Sequence, residues 1–553
     1  MAISASVPGA RLEELRAFYR TGQEISLSTL PAGTSRVVAR RARGDVVEAE
    51  TAQGARFAGL PGGTYSIEAL APDGSVLAEE LTTVAAHAGE RPVHGFATSF
   101  STESVTAALG WLRALRCTVV QVYDWMQSYS APLGPPAGWR DPSNREVSFQ
   151  ALCALAGGLR ASGAVAHAYA PVYAVDLPFA AEHPDWLMVR NDGSVQRFFD
   201  MIQLADPANL DWQRHFARVY GLAADSIGFD GFHIDTYGYP RAARDQGGRP
   251  IDMRAAYESF LAFFRTARPT DLISFNQVNG VPSAIALPDG PAFRYCEVWP
   301  PNDQWRHLEG LMDRSAGRAG LLGGYGSRAP LARGTIACYP PVWGTNDPAG
   351  PVQGLARQGS LRTVVRTEAI ATCLGASALL FGDVTAVLCD PYYPKHERLA
   401  PDEAATVLTW HRFALRCRDL FLEGEDTSWY EVGDPNGAVA LTWDGPTRPE
   451  PVGGTLFARV NRSDDCVAVG LVDLSGSAHG SWSEPTAAGR CRSVRVRLLL
   501  DVPASWEAAV AVLGRSGDRF APVPFTVVDH REGRAAEVEV PVDAGWSVLR
   551  MTR

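Results

Sequence analysis

The chain has 553 residues, which at about 150 per domain suggests three or four domains; three is the better expectation, because an α/β barrel absorbs well over a third of such a length. Hydrophobic residues make up 46%, enough for full cores, and charged residues make up 20%, too few for a disordered chain. The net charge of −10, from 51 Lys+Arg against 61 Asp+Glu, argues against nucleic acid or an anionic membrane as partner and suits a neutral substrate.

The nine cysteines are scattered singly, with no C-x-x-C pair, and read as buried free thiols rather than a disulfide framework or zinc site. The first residues, MAISASVPGARLEELRAFY, show no basic n-region followed by an apolar h-region, and no stretch approaches the roughly 18 apolar residues of a membrane span. The expectation is a cytoplasmic protein, the alternative a secreted one whose leader has been removed.

Residues 1–91 hold short β-type runs broken by Gly and Pro: Glu24–Leu30, Arg36–Ala42, Thr64–Leu70 and Val76–Val84. The segment GTYSIEALAPDGSVLAEEL alternates apolar and polar residues across an Asp73–Gly74 turn, a hairpin signal, so a small β-sandwich is expected here. Residues 92–425 change character. Short apolar runs (95–100, 118–124, 164–171, 228–235, 272–277, 293–299, 319–326 and 376–383) alternate with helical patterns, among them Ser104–Leu115, Ser148–Ser162, Leu210–Ala224, Met253–Ala267, Trp305–Arg314, Leu361–Leu374 and Glu403–Arg418. Eight strands separated by helices predict a (β/α)₈ TIM barrel. The seventh strand has two candidates, Ala319–Gly326 and Thr335–Tyr339; the first would leave Tyr339 and Trp343 on a long loop. Residues 426–553 return to short strands (Ala438–Thr442, Leu456–Val460, Cys466–Asp473, Ser493–Leu500, Ala536–Val540, Gly545–Met551) and predict an antiparallel β-sandwich.

Active sites of barrels are built at the carboxyl ends of the strands. Three runs end in a carboxylate: QVYD at Asp124, GFHID at Asp235 and RYCE at Glu297. A period of two puts Gly231, His233 and Asp235 on one face, with Phe232 and Ile234 on the other, and groups Phe293, Tyr295 and Glu297 in the same way. Asp235 and Glu297 would both point into the barrel mouth. A strand-end carboxylate often only caps a helix or pairs with an arginine. Three together, flanked by Tyr123, Trp125, Tyr237 and Trp299, describe a glycosidase: one carboxylate as nucleophile, one protonated to serve the leaving oxygen, and aromatic faces to stack on pyranose rings.

The segments HGFATSF, QVYDWM, SNREVSFQ, AHAYAPVYA, GFDGFHIDTYG, ISFNQVNG, YCEVWP and LCDPYYP, in this order, resemble glycoside hydrolase family 66, the dextranases and cycloisomaltooligosaccharide glucanotransferases. The resemblance covers most of the chain and implies an immunoglobulin-like domain before the barrel and an antiparallel β domain after it. It implies action on α-1,6-linked glucans with retention of configuration. Asp235 would be the nucleophile, Glu297 the general acid and base, and Asp124 a further acid holding sugar hydroxyls. Retention implies carboxyl groups about 5–5.5 Å apart. The cyclising members carry a carbohydrate-binding insert for which no gap between the barrel elements is long enough, which favours hydrolysis.

Further expected substrate contacts are His233, on the face of Asp235, Asn276 and Gln277 at the end of the fifth strand, and Asp383 after the eighth. Asp390 is a second candidate there. Arg140, Arg145, Arg190, Arg197 and Arg294 read as surface charge and loop anchors, the alternative being a preference for a sugar bearing an anionic group. Gly320–Gly326 lacks the strand–GxGxxG–helix setting of a phosphate loop, and no HExxH or comparable cluster appears, so neither metal nor cofactor is expected. The expectation is a retaining endo-acting α-1,6-glucan hydrolase (dextranase-like) on an α-glucan or oligosaccharide. The alternatives are a transglycosylase on the same site or a catalytically silent carbohydrate-binding protein. Oligomeric state is not legible.

Overall fold

Eight parallel strands stand in chain order in one sheet: His94–Ala97, Val119–Val122, Val165–Pro171, Gly231–Asp235, Leu272–Asn276, Ala292–Glu297, Gly334–Ala337 and Ser377–Leu379. They are called the first to eighth barrel strands below. This computed structural model describes residues 12–553 apart from 51–53, 199, 317–333, 341–354, 390–395, 433–436, 502–504, 515–518 and 543–544. The strands are buried on both faces because helices cover the outside and side chains fill the inside. The two edge strands approach each other: Ser377 Oγ donates to Pro92 O, and the backbone N–H groups of Thr98 and Ser99 donate to the Asp383 carboxylate at 2.9 and 2.8 Å.

The helices fall where the periodicity places them: Thr102–Ala114, Phe149–Ala161, Leu210–Ile227, Met253–Ala267, Leu308–Ser315, Leu355–Cys373 and Pro401–Cys417. Their starts are written in the sequence. Ser148 accepts from Ala151 N–H, Asn209 from Asp211 and Trp212 N–H, and Asp252 from Arg254 and Ala255 N–H, each satisfying donors that a helix leaves orphaned. Residues 277–291, between the fifth and sixth strands, hold a 3₁₀ turn (Val278–Gly280) and no α-helix.

The seventh strand is Gly334–Ala337, so the competing reading is the correct one, and Ala319–Gly326 lies outside the described residues. The β-branched Thr335 and Ile336 favour an extended chain, whereas a glycine-rich run weakens a strand. Tyr339 therefore sits two residues past the strand end rather than on a distant loop; Trp343 and Asp390 also lie outside the described residues.

Before the barrel, a five-stranded sheet runs in the order Phe18–Arg20, Val76–Ala85, Gly63–Leu70, Arg36–Arg41, Val46–Glu48, with a separate pair Ile25–Leu27 and Ala55–Phe57. The expected hairpin is present. Gly74 takes φ +83°, and Ser75 bonds Asp73 Oδ1 through its N–H and its hydroxyl at 2.9 and 2.7 Å. Ile25, Leu27 and Phe57 pack against Val37, Ala39 and Ile67 across the two sheets. After the barrel, the long strands Leu456–Ser463, Cys466–Asp473, Trp546–Thr552 and Glu507–Val512 form the centre of one antiparallel sheet. Val439–Thr442, Ser493–Leu499, Gly533–Pro541 and Thr526–His530 form a second. Alternate residues such as Val467, Val469, Leu471 and Val494, Val496, Leu498 fill the space between them. Glu507–Val512 and Thr526–His530 were not among the expected strands. Among the described residues no helix is long and apolar enough to cross a membrane.

Candidate active site

The floor of the barrel is made of rings. His167 lies over Phe293 (5.8 Å between centroids), His233 meets Tyr295 edge-on at 4.4 Å, and His94 contacts both Phe293 and Tyr295. Each histidine has one fixed partner: His94 Nδ1 with Thr335 Oγ1, His167 Nε2 with Leu272 O, His233 Nδ1 with Ser274 Oγ. Burial disfavours their charged forms, so all three stay neutral at physiological pH. Gly231 makes room for this layer, since a Cβ there would lie 2.3 Å from Leu272 O and 2.9 Å from His167 Cδ2.

One step up, the fourth, fifth and sixth strands end in Asp235, Asn276 and Glu297, all buried. The Asn276 side-chain nitrogen donates to Asp235 Oδ1 and to Glu297 Oε2, each at 2.7 Å. Its oxygen accepts from Glu297 N–H at 3.2 Å, which fixes the orientation of the amide. Two oxygens held by one nitrogen are no farther apart than twice that bond length. Asp235 also accepts from Tyr169 Oη (2.8 Å) and from the backbone N–H groups of Thr236 and Tyr237 (2.8 and 3.3 Å). Burial raises the proton affinity of both carboxyls, and the donors around Asp235 oppose the rise there. Glu297 is pushed up to about 8, by burial first and by the neighbouring Asp235 charge second. Glu297 is therefore the better seat for a proton near neutrality, because Asp235 has the donor set that stabilises an anion.

Asp124 lies two residues past the second strand, not at its last position as expected, with φ +48°; it is buried, which pushes its carboxyl up to about 7; Arg145, 3.8 Å away, opposes that, while Asp141 and Asp235 add to it. Arg145 is itself anchored by Asp141, whose carboxylate accepts from its Nε at 2.6 Å and its N–H at 2.8 Å. Tyr123 packs on Tyr169 at 4.5 Å, Tyr237 stacks on Phe198 at 4.5 Å with planes 7° apart, and Trp299 tilts against Tyr339 at 5.6 Å. Trp299 and Tyr339 also stand beside the Glu297 carboxyl, where their polar hydrogens favour its charged form. Tyr237 and Trp299 remain partly exposed at the mouth. The result is a buried carboxylate pair at the strand ends surrounded by aromatic side chains.

The profile of glycosyl hydrolase family 66 matches residues 62–549. The chain belongs to that family. Two cycloisomaltooligosaccharide glucanotransferases from Niallia circulans are 24% identical over 267 residues and 26% identical over 225 residues. Those matches cover 42% and 36% of this chain but only 28% and 23% of the relatives, so the chain matches less than a third of their length. A cycloisomaltooligosaccharide glucanotransferase from Paenibacillus sp., solved with cycloisomaltoheptaose, superposes with a TM-score of 0.76 at 15% identity over 97% of this chain and 98% of that one. At that identity the likeness speaks for the fold.

Within this family 66 barrel the sequence-predicted site residues separate into two groups. Asp235, Glu297, Asp124, Asn276, Tyr123, Tyr237 and Trp299 come together around the carboxylate pair. Four do not reach it. Trp125 is fully buried behind the strand, its Nε1 donating to Tyr169 O at 3.0 Å and its ring against Phe229 and Tyr220. After Asp124 takes a left-handed turn, the next side chain points toward the helices. His233 belongs to the ring layer beneath the carboxylates. Gln277 is buried in the loop, donating to Pro282 O and Ser315 O at 2.7 and 3.2 Å. Asp383 spends one oxygen on the N–H groups of the first strand's loop, and its other oxygen lies 3.5 Å from His396 Nε2. Tyr169, Tyr339 and Arg145 were missed as site residues. Tyr169 was readable, since it is two residues before Pro171 on a strand whose even alternation puts it with His167. Among the described residues no group of three or more His, Cys, Asp or Glu side chains could hold a metal ion.

Proposed function

We propose that this family 66 enzyme cleaves α-1,6-linked glucan or isomaltooligosaccharides by double displacement. Asp235 attacks the anomeric carbon while Glu297 gives its proton to the departing glycosidic oxygen; the C–O bond to the leaving group breaks as the ester bond to Asp235 forms. Glu297, now ionised, takes a proton from water, whose oxygen displaces Asp235 and restores the starting configuration. Asp124 binds hydroxyls of the reacting sugar, and Tyr123, Tyr237 and Trp299 offer ring faces to its C–H surfaces. The division into 1–91 (immunoglobulin-like sandwich), 92–425 (barrel) and 426–553 (antiparallel sandwich) is proposed with it.

The observation that carries this reading is the single Asn276 amide gripping both carboxyls at 2.7 Å. Its geometry keeps the nearest oxygens within about 5.5 Å, the separation of retaining enzymes, and below the roughly 6.5–9.5 Å that an inverting enzyme needs to seat a water. Family membership supports the substrate class. Hydrolysis is the favoured outcome of the second step; a second reading, transfer to a sugar hydroxyl, has in its favour that the curated relatives are named glucanotransferases.

Asp235→Ala and Glu297→Gln are each expected to lower turnover of an isomaltooligosaccharide by about a thousandfold or more, with circular dichroism unchanged. Azide is expected to rescue Asp235→Ala on an activated α-glucoside, giving the β-glucosyl azide. Near-wild-type turnover in either variant, or a β-anomer as first product of the wild type by NMR, would overturn the assignment. Chain-length analysis of products in dilute and concentrated substrate separates hydrolysis from transfer.

A further inference from the structure

The face of the N-terminal sheet turned away from its own core is polar and basic. Arg36 and Arg40 stand on it, four residues apart on one strand, with Glu68 and Glu79 opposite each other on the next two. Two facing glutamates repel unless cations neutralise them. Here Arg416 from the last barrel helix meets Glu79, and Arg519 from the C-terminal region meets both Glu79 (2.6 Å) and Glu68 (3.7 Å). Between this face, that helix and the C-terminal sheet lies a cavity of about 380 Å³, lined also by Phe520 and Arg550.

The charges around the cavity do not cancel. Arg41, at its edge, is taken up by Asp45, Asp419 and Glu423. The other five lining guanidiniums (Arg36, Arg40, Arg416, Arg519, Arg550) have three carboxylates within ion-pair reach among the described residues: Glu48, Glu68 and Glu79. Arg550 meets none of them. It donates to Ala42 O at 2.6 Å, and its guanidinium carbon lies over Phe520, 4.9 Å from the ring centre. Within ion-pair reach these guanidiniums outnumber the carboxylates by two, with Asp45 and Glu507 acting on Arg550 from farther away, in a concave site of a protein whose net charge is −10. Planar guanidinium forks match the oxygens of a phosphate, and the negative charge of a phosphate monoester suits a site whose guanidiniums outnumber their direct carboxylate partners.

We propose that this cavity, between the N-terminal sheet, the helix Pro401–Cys417 and the C-terminal sheet, binds a small phosphate-bearing ligand, with Arg40, Arg519 and Arg550 as its principal donors. A bare sugar is a poorer occupant, because Phe520, the aromatic ring of the lining, is already covered by Arg550. The ligand would tie elements more than 400 residues apart in sequence, so its binding stabilises the fold by mass action.

Isothermal titration of the full chain with inorganic phosphate and, separately, with glucose 6-phosphate, at ionic strength held constant with KCl, tests this. The expected result is saturable one-to-one binding of at least one of them, weakened about tenfold or more in both Arg550→Gln and the half-exposed Arg40→Gln, and unchanged in Arg214→Gln, whose side chain pairs with Asp211 on a distant helix. Tighter binding of glucose 6-phosphate identifies a phosphosugar as the ligand class; tighter binding of phosphate identifies the free anion. Absence of saturable binding of either up to about 10 mM, or wild-type affinity in both cavity variants, would overturn the proposal.

Discussion

Asn276 sets the working pH of the pair as well as its spacing. A donor to a carboxylate favours the charged form, and this one serves Asp235 and Glu297 together. Its loss in Asn276→Ala therefore raises the proton affinity of both groups. The bell of kcat/KM against pH, whose alkaline limb lies near the value of about 8 at Glu297, is expected to move upward by up to about one pH unit, with kcat reduced about tenfold or more. A lower rate with an unmoved profile would mean that the amide is a spacer only. Glu297 also exerts a cost on the fold with a defined sign. The folded state keeps a proton up to about pH 8 that the unfolded chain releases near 4.5, so stability falls as pH rises through that window. Glu297→Gln lacks the penalty. Its Tm is expected to match wild type near pH 4.5 and to exceed it by several degrees at pH 9, read by differential scanning calorimetry.

Strand alternation accounts for most of what was legible at the level of elements. It put Asp235 and Glu297 on inward faces because a barrel strand inverts direction at every residue and polar groups gather where the interior meets solvent. It failed just past the strand ends. Trp125 follows an Asp124 in the left-handed region, so the period of two stops applying and the indole swings behind the sheet. Periodicity likewise has no means of telling His233, three-sidedly enclosed by Tyr169, His167 and Tyr295, from a residue at the open mouth. The seventh strand was ambiguous because two short segments competed, and the β-branched one prevailed. These placements give opposite expectations for two tryptophans. Trp125→Ala is expected to cost about 3–5 kcal/mol of stability while leaving KM nearly unchanged. Trp299→Ala, at the mouth, is expected to raise KM for an isomaltooligosaccharide about tenfold with a smaller loss of stability. Denaturant unfolding and steady-state kinetics on the pair of variants check both.

At the scale of the whole molecule, the joints between sheet and barrel are ionic and were silent in the sequence, because their partners lie hundreds of positions apart and no period connects them. Asp419, fully buried just after the last barrel helix, accepts from Thr64 N–H and Oγ1 of the N-terminal sheet and pairs with Arg91; Arg41 and Arg418 stand beside it. Burial alone would raise its proton affinity, but the Arg91 and Arg418 guanidiniums and the Thr64 N–H more than offset that and hold it below the ordinary carboxylate range. A carboxyl depressed in the folded state contributes stability that is present above its unfolded value of about 3.9 and is lost as pH falls through the folded one. Asp419→Asn keeps the shape but leaves the buried guanidinium of Arg418 without its counter-charge, so it is expected to cost about 3–5 kcal/mol at pH 7. That deficit should shrink progressively below about pH 4, where wild type also loses the charge. Paired unfolding curves at pH 7 and pH 3 measure the difference; an equal deficit at both values would mean that the joint depends on hydrogen-bond shape and not on charge.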